Sequence, residues 1–327
     1  MPPQQQSPIL RRRRLGIELR KYREAAGLTG DQVIERIGWA SASKLSRLEN
    51  GRSRPELRDV LDLLEIYGVT ESERDEVVAI VRGAGDMRSW LRRYPTMTPR
   101  QRQYAELEAG CAEIREYSPV IIPGLLQTQE YARVRFTSSQ PLNDPDDREA
   151  GDAADPDTEV QARLSRQRLL YDEAVPPEYT AIIEAAALGP RAGSAEVMRG
   201  QLAHLCKLAE LPHVTIRILP QDVVMPGHYL PHTGFSVYRF ADPRDPETVA
   251  IEGLSLNFMV SERKELNGYK VLFEWLQAAA LSADATKSWL ADAAGRGSGG
   301  AESGARVRGA ALPPPQRTPH AGRLTEQ

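Results

Sequence analysis

The sequence predicts two unlike folded regions. The first is an all-α N-terminal domain of five short helices. The second is an α+β domain with a small mixed sheet, followed by a disordered C-terminal tail. Three observations carry this. Between Leu15 and about residue 84, apolar residues recur at helical spacing in short segments broken by glycine. Beyond about residue 178, alternating apolar segments such as VTIRIL are interleaved with helical ones. Residues 295–327 are rich in Gly, Pro, Ala and Arg. At 327 residues the chain has length for about two domains.

The elements follow in order. Residues 1–14 are Pro/Gln-rich and then basic at Arg11, Arg12, Arg13 and Arg14, which reads as a flexible arm. The first domain spans 15–84. Leu15, Leu19, Tyr22 and Ala26 form one stripe, and Gly27 ends that helix. Thr29 caps a second helix with Val33, Ile34 and Ile37 inward, stopped by Gly38. Ser41 caps a third, which buries Leu45 and Leu48 and ends at Asn50-Gly51. Pro55 opens a fourth with Leu57, Val60, Leu61 and Leu64 on one side. Thr70-Glu71-Ser72-Glu73 has the capping-box pattern for a fifth, running to about residue 82.

The second region spans 85–294. A helical stretch at about 99–116 precedes SPVIIPGLLQT (118–128), whose two prolines and glycine forbid a long helix. Thr128 caps a short helix to about residue 135. Residues 142–158 carry seven acids, with prolines inside and Pro141 beside them, and read as an exposed acidic loop. A helix at about 160–171 follows. Strands are expected at 179–183, 214–219, 235–240 and 248–251, with a helix at about 195–211 between the first two. Helices at about 262–280 and 283–293 close the fold.

Composition narrows the function classes. No apolar run approaches the roughly 18 residues of a membrane-spanning helix. The N-terminus has arginines with no apolar stretch behind them, the wrong order for a secretory signal. Cys111 and Cys206 form no CxxC pair, and a reducing cytoplasm fits best. Net charge is −3, but residues 1–60 hold 13 Lys+Arg against 7 Asp+Glu, while the other 267 hold 29 against 38. That asymmetry fits a basic contact module on an acidic body, or simply a solvated basic face.

The informative segment is LTGDQVIERIGWASASKLSRLENGRSRP, residues 28–55. Two short helices joined by a Gly-containing turn form a helix-turn-helix, whose second helix enters the major groove of DNA. At about 100° per residue, with Ala42 at zero, Ser46, Ser43 and Arg47 fall near 40°, 100° and 140°. Leu48 and Leu45 fall on the opposite side, near 240° and 300°. One face is apolar; the other offers small residues and one arginine. Small residues allow close approach to base edges, and Arg47 can bind guanine O6 and N7 in a bidentate manner. Lys44 at the flank suits a phosphate, as do Arg52 and Arg54 beyond the helix. Arg11, Arg12, Arg13 and Arg14 would track phosphates or a minor groove. The plainer alternatives are a helix-turn-helix used for protein packing and a solvated tail.

Over residues 15–68 the chain resembles the phage-repressor-like (Xre-type) helix-turn-helix family. The likeness rests on Arg23, Gly27-Leu28-Thr29, Gly38 and Ser46-Arg47-Leu48-Glu49-Asn50-Gly51. It implies an ion pair between Arg23 and Glu49, base reading by Ala42, Ser43 and Arg47, and a phosphate contact at Ser41. Gly30 stands where many members carry a phosphate-binding Gln, and the turn 38–41 is one residue longer than in short-turn members. The chain over 12–294 is also similar to actinobacterial WhiJ-like regulators with a toxin–antitoxin-like C-terminal domain. WASASKLSRLENG (39–51), IPGLLQT (122–128), IIEAAAL (182–188), MRGQLAHL (198–205), LPHVTIRILP (211–220), GFSVYRF (234–240) and LQAAAL (276–281) carry that likeness in order. Glu184-Ala185 departs from the acidic pair many members have there. The resemblance implies a factor controlling development or specialised metabolism, often encoded beside a small protein that modulates it.

Nothing in the sequence points to catalysis, a cofactor or a metal. GRGSGG (295–300) neither follows a strand nor opens a helix, and no GxSxG elbow is present. His228 and His232 are four apart, but the neighbouring Pro226, Gly227 and Pro231 make that segment a loop rather than a ligand-bearing helix. IPGLLQT reads as a structural turn, or else as one lining a ligand or partner site. The expected function is a sequence-specific, dimeric DNA-binding regulator of the cytoplasm (nucleoid-associated), with no membrane association. Its second domain would receive a protein or small-molecule signal. The alternative is an antitoxin-like protein that binds a small partner encoded nearby and autoregulates its operon.

Overall fold

A computed structural model describes residues 8–84, 97–140, 155–171, 176–189, 192–225, 228–253, 258–260 and 262–296. Residues 1–7, the acidic stretch 142–154 and the tail from 297 lie outside the described residues. The two-part fold expected from the sequence is present: a helical N-terminal domain, then helices around a six-stranded mixed sheet.

The first domain contains α1 (Pro8–Ala25), α2 (Gly30–Ile37), α3 (Ala42–Glu49), α4 (Leu57–Tyr67) and α5 (Glu71–Ala84). Local chemistry sets their starts. Thr29 and Gln32 form a reciprocal capping box on α2. Thr70 and Glu73 exchange hydrogen bonds at the start of α5 in the same way. Ser41 has cap geometry but makes no cap bond; its hydroxyl pairs with Ser43 instead. The helices meet over one core that includes Leu15, Leu19, Val33, Leu45, Leu48, Val60, Leu63 and Leu64.

The second region opens with α6 (Pro99–Glu108), where the expected helix to residue 116 stops early. Cys111–Ser118 is a strand, β1, at the centre of the sheet. Then come a 3-10 turn (Gly124–Leu126), α7 (Gln129–Ser139), α8 (Pro156–Gln167), β2 (Glu178–Glu184) and α9 (Ala195–Leu208). After them are β3 (Val214–Leu219), β4 (Phe235–Phe240), β5 (Thr248–Ile251), β6 (Phe258–Val260), α10 (Arg263–Ala279) and α11 (Ala283–Arg296). Asp155 caps α8 through two backbone N–H groups, so the last residues of the expected acidic loop are helical.

Strand order is β3-β2-β1-β4-β5-β6, with β1, β2 and β3 parallel and the remaining pairings antiparallel. Helices cover both faces. Tyr117, Ile182, Val237 and Val249 point toward α10, with Phe273 and Leu276 fully buried. Ile114, Tyr179, Ala181, Tyr238 and Ala250 lie on the other face, in the larger core with α9 and α11.

That second face also holds ionisable groups. Glu108 of α6 and Arg166 of α8 form a buried two-point ion pair, one bond at 2.9 Å, and Arg166 also reaches Gln101. Glu116 of β1 accepts a 2.6 Å hydrogen bond from the Tyr179 hydroxyl. Burial pushes its carboxyl up to about 7. Glu108 and Glu252 act in the same direction, against the Tyr179 bond and Arg166.

The folded protein keeps a proton on Glu116 that the unfolded chain releases in the ordinary carboxylate range, so this site destabilises the fold increasingly as pH rises from that range through about 7. Glu116→Gln is therefore expected to be more stable than the parent by about 1–3 kcal/mol near pH 8, with the difference vanishing near pH 4. Urea unfolding of both proteins at the two pH values measures it.

Candidate nucleic-acid interface

On α3 the apolar side chains Leu45 and Leu48 are each 3% exposed, while Ala42, Ser43, Ser46 and Arg47 are exposed together on the opposite face. Packing thus orients the helix, and the outward face is the one small enough to approach a base-pair edge. Gly38, left-handed at φ 74°, ends α2 ahead of the turn that delivers Ser41.

An ion-pair network locks α3 to α1. Arg23 donates to Glu49 through Nε at 2.6 Å and Nη2 at 3.1 Å, and to the Leu28 carbonyl through Nη1 at 2.9 Å. Glu49 is buried and also receives Arg20, which in turn donates to Asn50. The bond to Glu49 holds the Arg23 guanidinium above its ordinary range. Two glycines permit backbone contact at this junction. A Cβ on Gly16 would lie 2.3 Å from the Glu49 carbonyl oxygen, and one on Gly51 (φ 64°) would lie 2.8 Å from the Arg13 nitrogen. Arg20 and Gly16 are not singled out by the sequence, and Gly51 is read there only as the end of the helix. The available signal was a glycine inside a helix, where it costs about 1 kcal/mol unless something needs the space.

The flanking basic residues divide into two groups. Arg52 and Arg54 are exposed in the loop after α3. Lys44 is engaged: its ammonium lies 2.7 Å from Asp59 of α4 and 4.4 Å from the centre of the Trp39 ring. A phosphate would have to compete with Asp59.

The four consecutive arginines are where the structure departs most from the sequence reading. They do not form a flexible arm; they are the first turns of α1. Leu10 is 1% exposed and belongs to the core of the second region. Arg13 donates to the Thr248 hydroxyl at 2.9 Å. Arg14, itself buried, donates to Asp242 at 2.9 Å and lies 3.7 Å from Asp245. Arg13 and Arg14 are thus committed to the β4–β5 hairpin rather than free for a minor groove. The charge run was misread because its acidic partners are more than two hundred residues away in sequence. Arg12 lies close enough to Arg54, and Arg13 to Arg52, for like-charge repulsion to add to the burial that lowers both α1 guanidinium groups.

This geometry is that of a DNA-binding helix-turn-helix protein. A family model described as "Helix-turn-helix domain" matches residues 14–77, which supports a DNA-binding regulator. A second, described as "Domain of unknown function (DUF5753)", matches residues 101–292, more than half of the chain, and the chain belongs to that family. No curated protein matches the chain, and no solved structure does. No described helix is long and apolar enough to cross a membrane. Among the described residues no group of His, Cys, Asp and Glu could hold a metal ion; His228 sits at φ 56°.

Glu49→Ala leaves Arg23 without its carboxylate in a largely buried setting, and is expected to cost about 3 kcal/mol. Glu49→Gln keeps the shape and one acceptor, and should cost less. Denaturant titration followed by far-ultraviolet circular dichroism compares them.

Proposed function

We propose that the protein is a sequence-specific transcriptional regulator in which Ala42, Ser43 and Arg47 read base edges from the major groove. The observation that carries this is the exposed face of α3: small side chains and one uncommitted guanidinium, on a helix fixed by a buried ion pair. Ser41 and the exposed Arg52 and Arg54 contact phosphates, and Arg47 supplies the bidentate contact to guanine. The regulator acts in the cytoplasm as a dimer on paired half-sites, the arrangement by which such modules gain affinity and register. Its second domain receives a signal, from a small molecule or a small protein, and passes it to the DNA-binding domain through α1. The developmental or metabolic role of the WhiJ-like regulators it resembles is the setting we assign to it.

Selection of bound genomic fragments by the purified protein at two salt concentrations tests the reading. A short shared motif is expected. Arg47→Ala should cost about 1–3 kcal/mol on that motif and relax preference at one base pair. Arg52→Ala with Arg54→Ala should weaken binding to all sequences alike and reduce the salt slope by about two. Unchanged affinity and base preference in Arg47→Ala would remove α3 as the reading element.

A further inference from the structure

A cavity of about 300 Å³ lies between the sheet and the helices α6 and α8. Its floor is the polar stretch of one sheet face. Glu116, Ser236 and Ala250 are register partners across β1, β4 and β5, and Tyr238 and Glu252 flank them. The turn IPGLLQT forms one wall. That turn is held from behind: Gln127 donates to the Ile122 carbonyl, Gln167 to the carbonyls of Gly124 and Gln127, and Gln201 to that of Leu126. Arg163 donates to Gln127 and covers the Phe136 ring at 4.6 Å. The wall is therefore rigid, and the cavity is preformed.

Glu108, Glu116 and Glu252 line the space with Arg163 and Arg166. Glu108 is satisfied by Arg166, and Arg163 has Gln127. Glu116 has one oxygen on Tyr179, and its second accepts no hydrogen bond among the described residues. Tyr238 has a hydroxyl that lines this space with no hydrogen-bond partner among the described residues. An acceptor and a hydroxyl thus face one space, with Val120 and Ile122 as apolar surface nearby.

We propose that this cavity binds a small organic cation, its protonated amine on Glu116 and the Tyr238 hydroxyl and its apolar body against Val120 and Ile122. The inference deepens the regulatory reading above and rests on it for its biological meaning. The cavity is also placed to report occupancy. Thr248, the acceptor for Arg13 of α1, is two residues before Ala250 on β5 and is the register partner of Tyr238. Occupancy at Tyr238 is therefore one strand pairing away from the helix that carries the DNA-binding domain.

The test uses the full chain without DNA, so its failure leaves the DNA-binding reading standing, and failure of the Arg47 experiment leaves this one standing. Calorimetry and thermal unfolding are run with tryptamine, with its neutral analogue tryptophol and with the anion indole-3-acetate. Tryptamine should bind saturably and raise the melting temperature, about tenfold more tightly than tryptophol, with indole-3-acetate weakest. Near pH 7 the arriving cation displaces the proton on Glu116 to the buffer, so the binding heat should vary with the buffer's ionisation enthalpy. The groups facing that carboxylate are Glu108, Arg166, Tyr179, Tyr238 and Glu252. Glu116→Gln should abolish the buffer dependence and weaken tryptamine about tenfold, and Tyr238→Phe should weaken it several-fold, both with the fold intact by circular dichroism. Absence of saturable binding, equal affinity for all three probes, preference for the anion, or tryptamine binding indifferent to Glu116→Gln would each overturn the proposal.

Discussion

The rest of the structure depends on one helix that belongs to two cores. Leu10 of α1 is buried with the sheet of the second domain, and Leu15 and Leu19 are buried with the helices of the first. Five residues of a single helix separate these anchors, about 7.5 Å of axial rise. Between them Arg13 and Arg14 bind the β4–β5 hairpin, and just past Leu15 Gly16 admits the backbone of α3. No hinge residue lies in that span, so α1 spans the two cores as one rigid element. A displacement of the hairpin has no slack to absorb it before it reaches α1.

The polar groups of the second domain follow a related logic. A carboxylate on the central strand is an unusual choice, because desolvation opposes its charge and the fold is weakened when it ionises. The residues around it look arranged for function more than for stability. Glu108 has a full partner in Arg166, while Glu116 keeps one oxygen open. Packing alone would have placed an apolar side chain there.

Much of the fold was legible in the sequence, for reasons that can be traced to particular residues. VTIRIL alternates apolar residues on a strand whose burial alternates, and its expected span, 214–219, matches β3. Thr29 and Thr70 signalled helix starts because their capping partners are three residues away. The central strand β1 was missed because CAEIREYS sets Ile114, Glu116 and Ser118 on one face. The polar lining of the cavity breaks the apolar alternation by which a strand is recognised. The three-residue β6 is too short to show a period. At the DNA interface, helical spacing was enough to find the outward face of α3. It could not find Asp59 beside Lys44, or the acids that hold Arg14, because those neighbours are brought together by tertiary packing.

The glycine contacts at the α1–α3 junction bear on how such a regulator can diversify. Main chain rests on main chain at Gly16 and Gly51, so the seat of the recognition helix depends little on the bulk of the side chains it displays. Its four outward positions contribute almost nothing to the core beneath them. Duplicated copies of the gene could therefore exchange those residues and acquire new operators while folding as before. Mutational drift would be tolerated on the outward face of α3 and purged at the two glycines beneath it.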